Sequence, residues 1–449
     1  MISRRQFLGH VAVATVCCGS SVLFSPSMSM ARSSFEPLRH AIKTGRDFVP
    51  LRVGVPNFAG DEGSGAAIAQ IVSEDLKSSG YFVPLESGTF EEQVLGYDDV
   101  PDFIHWRSLN VYVLVTASII KSENNLILRM KVWDVFSKQA LVGRELTTVS
   151  KNIRRLAHVL SDQVYTAVTG FDGMFDSCLT YISETGAKNA RIKRLAMSDW
   201  NGLNTRYLTD GKTTVIMPVF DASRGRIAYT SLDSPHTEVV ILDIRTNTNR
   251  RLPINTDGAT YASCFSPDGN YILFSMQRRG NANLFSMNFR TKKIRQLTSG
   301  LAIDTSPSFS PDGSLVVFES DRSGTQQLYV MRADGSGQSR ITFGSGIYST
   351  PSWSPDLDNP LIVFTKRYAG SFGIGLIKPD GSGERMIAYG YHYESPTWAP
   401  NGRHVIFVKE DFNLAGPGLV MVDIFGNART KIDTGGFASD PFWSPVSYY

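Results

Sequence analysis

Two hydrophobic rhythms divide the chain. Between Leu51 and Gly170 the apolar residues follow both the alternation of strands and the three-and-four spacing of helices. Val53 and Val55 read as a strand. Ile68, Ile71, Val72 and Leu76 share one helical face that ends near Gly80, and Phe82 with Leu85 reads as a second strand. Residues 111–119, 126–132 and 141–149 alternate as three more strands. Ile153, Leu156, Leu160, Val164 and Val168 then mark a second helix, stopped by Gly170. After that glycine the helical period disappears, and short alternating runs recur at a fixed interval.

The recurring unit opens on an aromatic residue and a turn. It reads Phe265-Ser266-Pro267-Asp268-Gly269, Phe309-Ser310-Pro311-Asp312-Gly313, Trp353-Ser354-Pro355-Asp356, Trp398-Ala399-Pro400-Asn401-Gly402 and Trp443-Ser444-Pro445, with a degenerate first copy at Phe220. Pro presets φ, and Asp-Gly takes the tight or left-handed positions. Each copy then alternates through further strand segments, as in Leu328-Tyr329-Val330, to a second turn such as Asp334-Gly335-Ser336-Gly337 and a tail such as Arg340-Ile341-Thr342. Four short strands at this period read as a propeller blade. The last copy stops after its first strand, and segments 179–182, 192–196 and 206–208 precede the first copy. Their union completes a sixth blade and removes the open edges. The expected fold is an α+β two-domain protein, with a small α/β domain over residues 51–170 and a six-bladed β-propeller over 171–449.

The amino terminus is different in kind. Ser3-Arg4-Arg5-Gln6-Phe7-Leu8 precedes an apolar, small-residue stretch over 11–24, and Ser29-Met30-Ala31 offers a small-x-small cleavage site. Residues 1–31 therefore read as an export signal whose paired arginines resemble the twin-arginine type, an ordinary secretory signal being the alternative. The apolar run is too short for a membrane span. Residues 32–50 show little periodicity and read as a flexible arm.

Composition adds limits. With 42% apolar and 19% charged residues, the 449-residue chain is globular. Its net charge of +3 falls to about +1 when Arg4 and Arg5 leave with the signal, and no Lys/Arg cluster stands out. Nucleic acid thus has no electrostatic invitation. Cys17 and Cys18 fall in the signal. Cys178 and Cys264 remain, either as a pair or as two small buried residues.

Within a blade the first strand is innermost, so residues just before each aromatic anchor surround one channel mouth. Tyr261, Tyr348 and Tyr393 read as recurring at one phase there, beside Asp304, Glu394 and Asp440. Tyrosine contributes strongly at interfaces, and an acidic ring would steer a basic segment or hold a divalent cation. Passive lining of the channel is the plainer alternative. No other cofactor is implied. A catalyst has less support: there is no Gly-x-Ser-x-Gly elbow, and the propeller histidines (His236, His392, His404) are scattered. A propeller glycan lyase or metal-dependent hydrolase is the enzyme alternative.

The whole arrangement resembles the TolB family, the periplasmic component of the Tol–Pal envelope system of Gram-negative bacteria. The likeness rests on Ser73-Glu74-Asp75-Leu76-Lys77-Ser78-Ser79-Gly80, Phe82, Pro84 and Trp106. It rests also on Gly170, Gly173 and Phe175 at the crossing into the propeller, and on the blade phrases Leu328-Tyr329-Val330-Met331 and Arg340-Ile341-Thr342. The resemblance implies a monomeric periplasmic binding protein without a membrane span. Such a propeller binds the peptidoglycan-associated lipoprotein, Pal, at a channel mouth, and its arm and N-terminal domain reach the inner-membrane partner TolA. The implied role is outer-membrane integrity and envelope constriction at division. The family's Pal-contact strip falls on Ala259, Ala262 and Thr305. With Thr350 and the six mouth residues above, these form the expected partner-binding set. The arm departs from the family's acidic-apolar pattern, being basic at Arg39, His40, Lys43 and Arg46.

Overall fold

A computed structural model describes residues 35–446, apart from 46–48, 87–93, 123–124, 150–151, 233–236, 255–257, 413–415 and 428. The signal assigned to 1–31, with Cys17 and Cys18, lies outside the described residues, as do Arg46 and His236.

The first domain is a mixed sheet carrying two long helices. Its strands are β1 (Leu51–Gly54), β2 (Ala59–Gly60), β3 (Phe82–Pro84), β4 (Val113–Ser122), β5 (Asn125–Asp134) and β6 (Gln139–Val149). They lie in the order β3-β1-β4-β5-β6, with β2 beside β4. β1 is parallel to β3 and β4, whereas β4, β5 and β6 form an antiparallel meander. The two periodic segments become the helices Glu62–Ser78 and Ile153–Thr169. Their apolar faces (Ile68, Val72, Leu76; Leu156, Leu160, Val164) join Val53, Val115, Leu128 and Val132 in one buried cluster. Gly170 ends the second helix at φ 77°, a conformation that costs glycine nothing.

Two helices were not legible in the pattern. Phe103–Ser108 is a short turn capped by the Asp102 carboxylate, which accepts from the Ile104 and His105 N–H groups at 3.0 and 3.2 Å. The expected flexible arm holds the helix Glu36–Thr44. Phe35 and Ile42 are buried. Arg39 donates to Val168 O at 2.9 Å and to Ala167 O at 2.7 Å, satisfying carbonyls at the negative end of the helix Ile153–Thr169. Two buried apolar residues are too few for a sequence pattern, and the helix is held by its neighbour.

The propeller has six four-stranded antiparallel sheets. Five blades follow in sequence from Val215 to Ile432, and the sixth pairs Phe437–Trp443 with Cys178–Thr185, Ile192–Asp199 and Arg206–Tyr207. The expected closure is therefore formed. Cys178 and Cys264 are both free thiols, so no pair forms between them.

Antiparallel succession sorts the loops onto two faces. The Ser-Pro-Asp-Gly turns and the turns between third and fourth strands lie on one face, and all other loops lie on the opposite face. The N-terminal domain sits on the turn face, over the fifth and sixth blades. His404 Nε2 donates to Ser79 O at 3.1 Å, Thr430 Oγ1 donates to Ser78 O at 3.1 Å, and the Arg403 guanidinium covers the Phe171 ring at 3.8 Å. At the centre of this junction Asp75 is fully buried. It accepts from Ser161 Oγ at 2.7 Å and Trp200 Nε1 at 3.0 Å, and pairs with His158 Nδ1 at 2.7 Å. Burial alone would lower the His158 pKa, but Asp75 and Asp199 raise it to about 9. Next to it, Asp162 accepts from the Phe175 and Asp176 N–H groups at 2.7 and 3.0 Å and fixes the chain entering the propeller. A Cβ at Gly173 would meet Asp162 Oδ1 at 2.0 Å, so the close approach needs glycine there.

Candidate functional site

The innermost strands of the six blades share one layout. The residues five before each anchor (Val215, Thr260, Asp304, Tyr348, Tyr393, Ala438) are all buried between strands and blades. Those four before it (Ile216, Tyr261, Thr305, Ser349, Glu394, Ser439) are all half-exposed. Next comes a bulge, where every inner strand shifts register against its neighbour. In five blades its first residue is left-handed and precedes proline: Met217 (φ 53°), Ser306 (51°), Thr350 (47°), Ser395 (52°) and Asp440 (47°).

A non-glycine residue at positive φ costs about 1–3 kcal/mol and persists only where its surroundings dictate it. Here the neighbouring blade supplies part of that constraint. Met217 N donates to Asp440 Oδ2 at 3.2 Å and Thr350 N to Glu319 Oε2 at 2.8 Å. A bulge re-aims side chains. The six together enclose an axial cavity of about 380 Å³ to which every blade contributes.

Tyr261, Ala262, Thr305, Thr350 and Asp440 of the expected set line this cavity. Thr305 Oγ1 and Ser306 Oγ donate to Glu319 Oε1 at 2.6 and 3.1 Å, and Thr350 Oγ1 lies 2.8 Å from Thr365 Oγ1. Ala259, half-buried and opposite Gln277, stands at the start of its strand outside the lining. Glu394 is half-exposed near the loop face, 3.1 Å from His392 Nε2. His392 also lies 3.4 Å from Glu410.

Three expected residues are placed elsewhere. Tyr261 stands four residues before its anchor, whereas Tyr348 and Tyr393 stand five before theirs, so the strand pleat sends them to opposite sides. Tyr348 is 0% exposed, packs on Phe364 at 5.3 Å and donates to Glu384 at 2.9 Å. Tyr393 packs on Phe407 at 5.0 Å. No ring of three tyrosines surrounds the mouth. Asp304, also 0% exposed, is held by Arg322 Nη2, 2.9 Å from both carboxylate oxygens. It is an internal ion pair, not part of an acidic ring.

The carboxylate that sequence reasoning missed is Glu319. It lies in the second strand of its blade, where alternation predicts only packing, yet it lines the cavity and accepts from two adjacent blades. Burial pushes its pKa up, against the lowering by its Thr305, Thr350 and Ser306 donors. Burial likewise raises the Asp440 carboxyl, opposed by the Met217 N–H and Lys193. Among the described residues there is no group of three or more His, Cys, Asp or Glu placed to hold a metal.

The loop face of the propeller carries exposed Leu232, Leu301, Phe343, Tyr368, Tyr391 and Phe412. Tyr391 and Phe412 meet edge-to-face at 5.4 Å.

Comparison with known proteins covers both domains. A model of the TolB beta propeller domain matches residues 165–447, and a model of the TolB amino-terminal domain matches residues 42–141. Among solved structures, TolB from Acinetobacter baumannii is similar at 24% identity and a TM-score of 0.79, over 89% of this chain and 97% of that one. A protein described as TolB from Agrobacterium tumefaciens is similar at 18% identity and a TM-score of 0.46, over 57% and 87%. An oligogalacturonate lyase from Vibrio parahaemolyticus is similar at 12% identity and a TM-score of 0.39, over 56% and 72%. Among the described residues, no helix is long and apolar enough to cross a membrane.

Proposed function

The chain belongs to the TolB family of non-enzymatic periplasmic scaffold proteins, and on that premise we propose that its loop-face channel mouth binds the periplasmic domain of Pal. One observation carries the reading. The N-terminal domain occupies the turn face, while the opposite, loop face presents exposed aromatics at the other end of an axis whose cavity is built by all six blades. Large aromatic side chains at the rim of a desolvated pocket are the composition of interaction hot spots. On the opposite side, the helix Glu36–Thr44 and its domain would reach TolA, so that the scaffold connects the inner membrane to the peptidoglycan-bound lipoprotein. Outer-membrane integrity and constriction at division follow from that linkage.

Calorimetric titration of residues 32–449 with the Pal periplasmic domain tests this. Binding should be at micromolar strength or tighter. Tyr261→Ala should weaken it by about 1–3 kcal/mol, the range of an interface aromatic, with the unfolding midpoint nearly unchanged. Full affinity in Tyr261→Ala and in Thr305→Ala would remove the channel mouth from the interface.

A further inference from the structure

The charge of the chain is unevenly placed. Residues 244–296 hold nine Lys/Arg and two Asp/Glu, a net +7 where the whole chain has +3. The cationic residues are dispersed in sequence, which is why no cluster stood out there. Folding gathers most of them at the outer edge of the first two blades, on the turn-face side. Arg245, Arg250, Arg290, Lys292, Lys293 and Arg295 are all exposed, and none has an ion-pair partner within 4 Å among the described residues.

These cations border two successive interblade clefts. One, about 400 Å³, has Arg250 and Lys292 on its walls and Ile241, Leu252 and Phe289 beneath. The other, about 680 Å³, has Arg290, Lys293 and Arg295 facing Tyr271 and Phe309. Between them runs the turn that links the third and fourth strands of the second blade. Asp243 in the first cleft and Asp268, Asp312 and Asp334 in the second also face the space, each engaged in turn hydrogen bonds. A uniformly anionic surface would meet those carboxylates, and a flat one would not enter the clefts. A chain that alternates carboxylates with apolar side chains satisfies both walls and floor. Beside the first cleft, the outermost strand Thr248–Arg251 is exposed along its whole length and, among the described residues, has a strand neighbour on one side only.

We propose that the outer edge of the first two blades is a docking surface for an acidic, extended polypeptide segment. It is separate from the channel mouth and does not rest on the Pal assignment.

The test uses residues 32–449 and a fluorescein-labelled dodecapeptide of alternating Glu and Val, followed by anisotropy at low and high salt. The wild type should bind the peptide, and high salt should weaken binding because exposed charges are screened. The combined variant Arg250→Glu, Arg290→Glu, Lys292→Glu and Lys293→Glu should lose at least about tenfold in affinity, as like charges then face each other. Its circular dichroism, melting curve and Pal binding should match the wild type, which separates lost docking from lost folding. Absence of peptide binding to the wild type, or equal binding by the variant, would overturn the proposal. So would binding of phosphatidylglycerol vesicles without peptide binding, which would assign the edge to a membrane surface.

Discussion

The two ends of the propeller are made from one repeat and finished in opposite ways. At the turn face the N-terminal domain is fastened through buried polar groups, Asp75 with its three partners and His404 on Ser79, and through the half-buried Thr430 on Ser78. At the loop face the same repeat ends in exposed apolar side chains, with the bulge-lined cavity on the axis between the two ends. A buried polar network specifies one arrangement of two bodies, whereas an exposed apolar rim leaves a surface for another molecule. The repeat builds the ring, and departures from the repeat determine what each end does.

The sharpest way to break this contrast is at the junction. Asp75→Ala takes the nearer carboxylate from buried His158 and the acceptor from Trp200 Nε1, which should destabilise the protein by about 3–5 kcal/mol. Chemical denaturation should show that loss, with Pal affinity of the remaining folded protein close to wild type. A large affinity loss in folded protein would mean that the two ends are coupled.

Tyr348→Ala should come next in size. Its ring is fully buried beside Phe364, so removal opens a core cavity and costs about 3 kcal/mol in the unfolding free energy. Reduced affinity without reduced stability would return Tyr348 to the mouth.

The last test is in pH. His158 is raised from 6.5 to about 9, so its contribution is fully present below pH 6.5 and is lost as pH rises through 9. Asp162 is raised by burial from 3.8 to about 7, against the lowering by the Phe175 and Asp176 N–H groups. Its contribution therefore falls between pH 3.8 and 7 and has the same sign. Melting temperature should decline between pH 6 and 9, and His158→Gln should flatten the upper part of that decline. An unchanged slope in the variant would remove His158 from the linkage.

The architecture was legible because its period is long and strict. Aromatic anchors at 265, 309, 353, 398 and 443 count blades without any knowledge of contacts. The site was less legible because it depends on single-residue phase. Tyr261 and Tyr348 differ by one position relative to their anchors, and one position in a strand separates a channel wall from a blade core. The prolines at 218, 307, 351, 396 and 441 were an available sign of the bulges, since proline within an inner strand interrupts its ladder. Glu319 offered no sign, because its role depends on a neighbouring blade. The helix Glu36–Thr44 was hidden for a similar reason: Arg39 gains its partners from residues more than a hundred positions away.

The shared sixth blade also has a bearing on biogenesis. Trp443 pairs with Leu179, so the ring is sealed by two segments made at opposite ends of propeller synthesis. Until the final strand is available, the strand Cys178–Thr185 has a bare edge, and the fifth blade lacks its neighbour. Such a contact has high sequence separation and forms late. A nascent or prematurely stopped chain thus remains an open arc with an unpaired strand, recognisable to chaperones and proteases, and only full-length product can hide that mark.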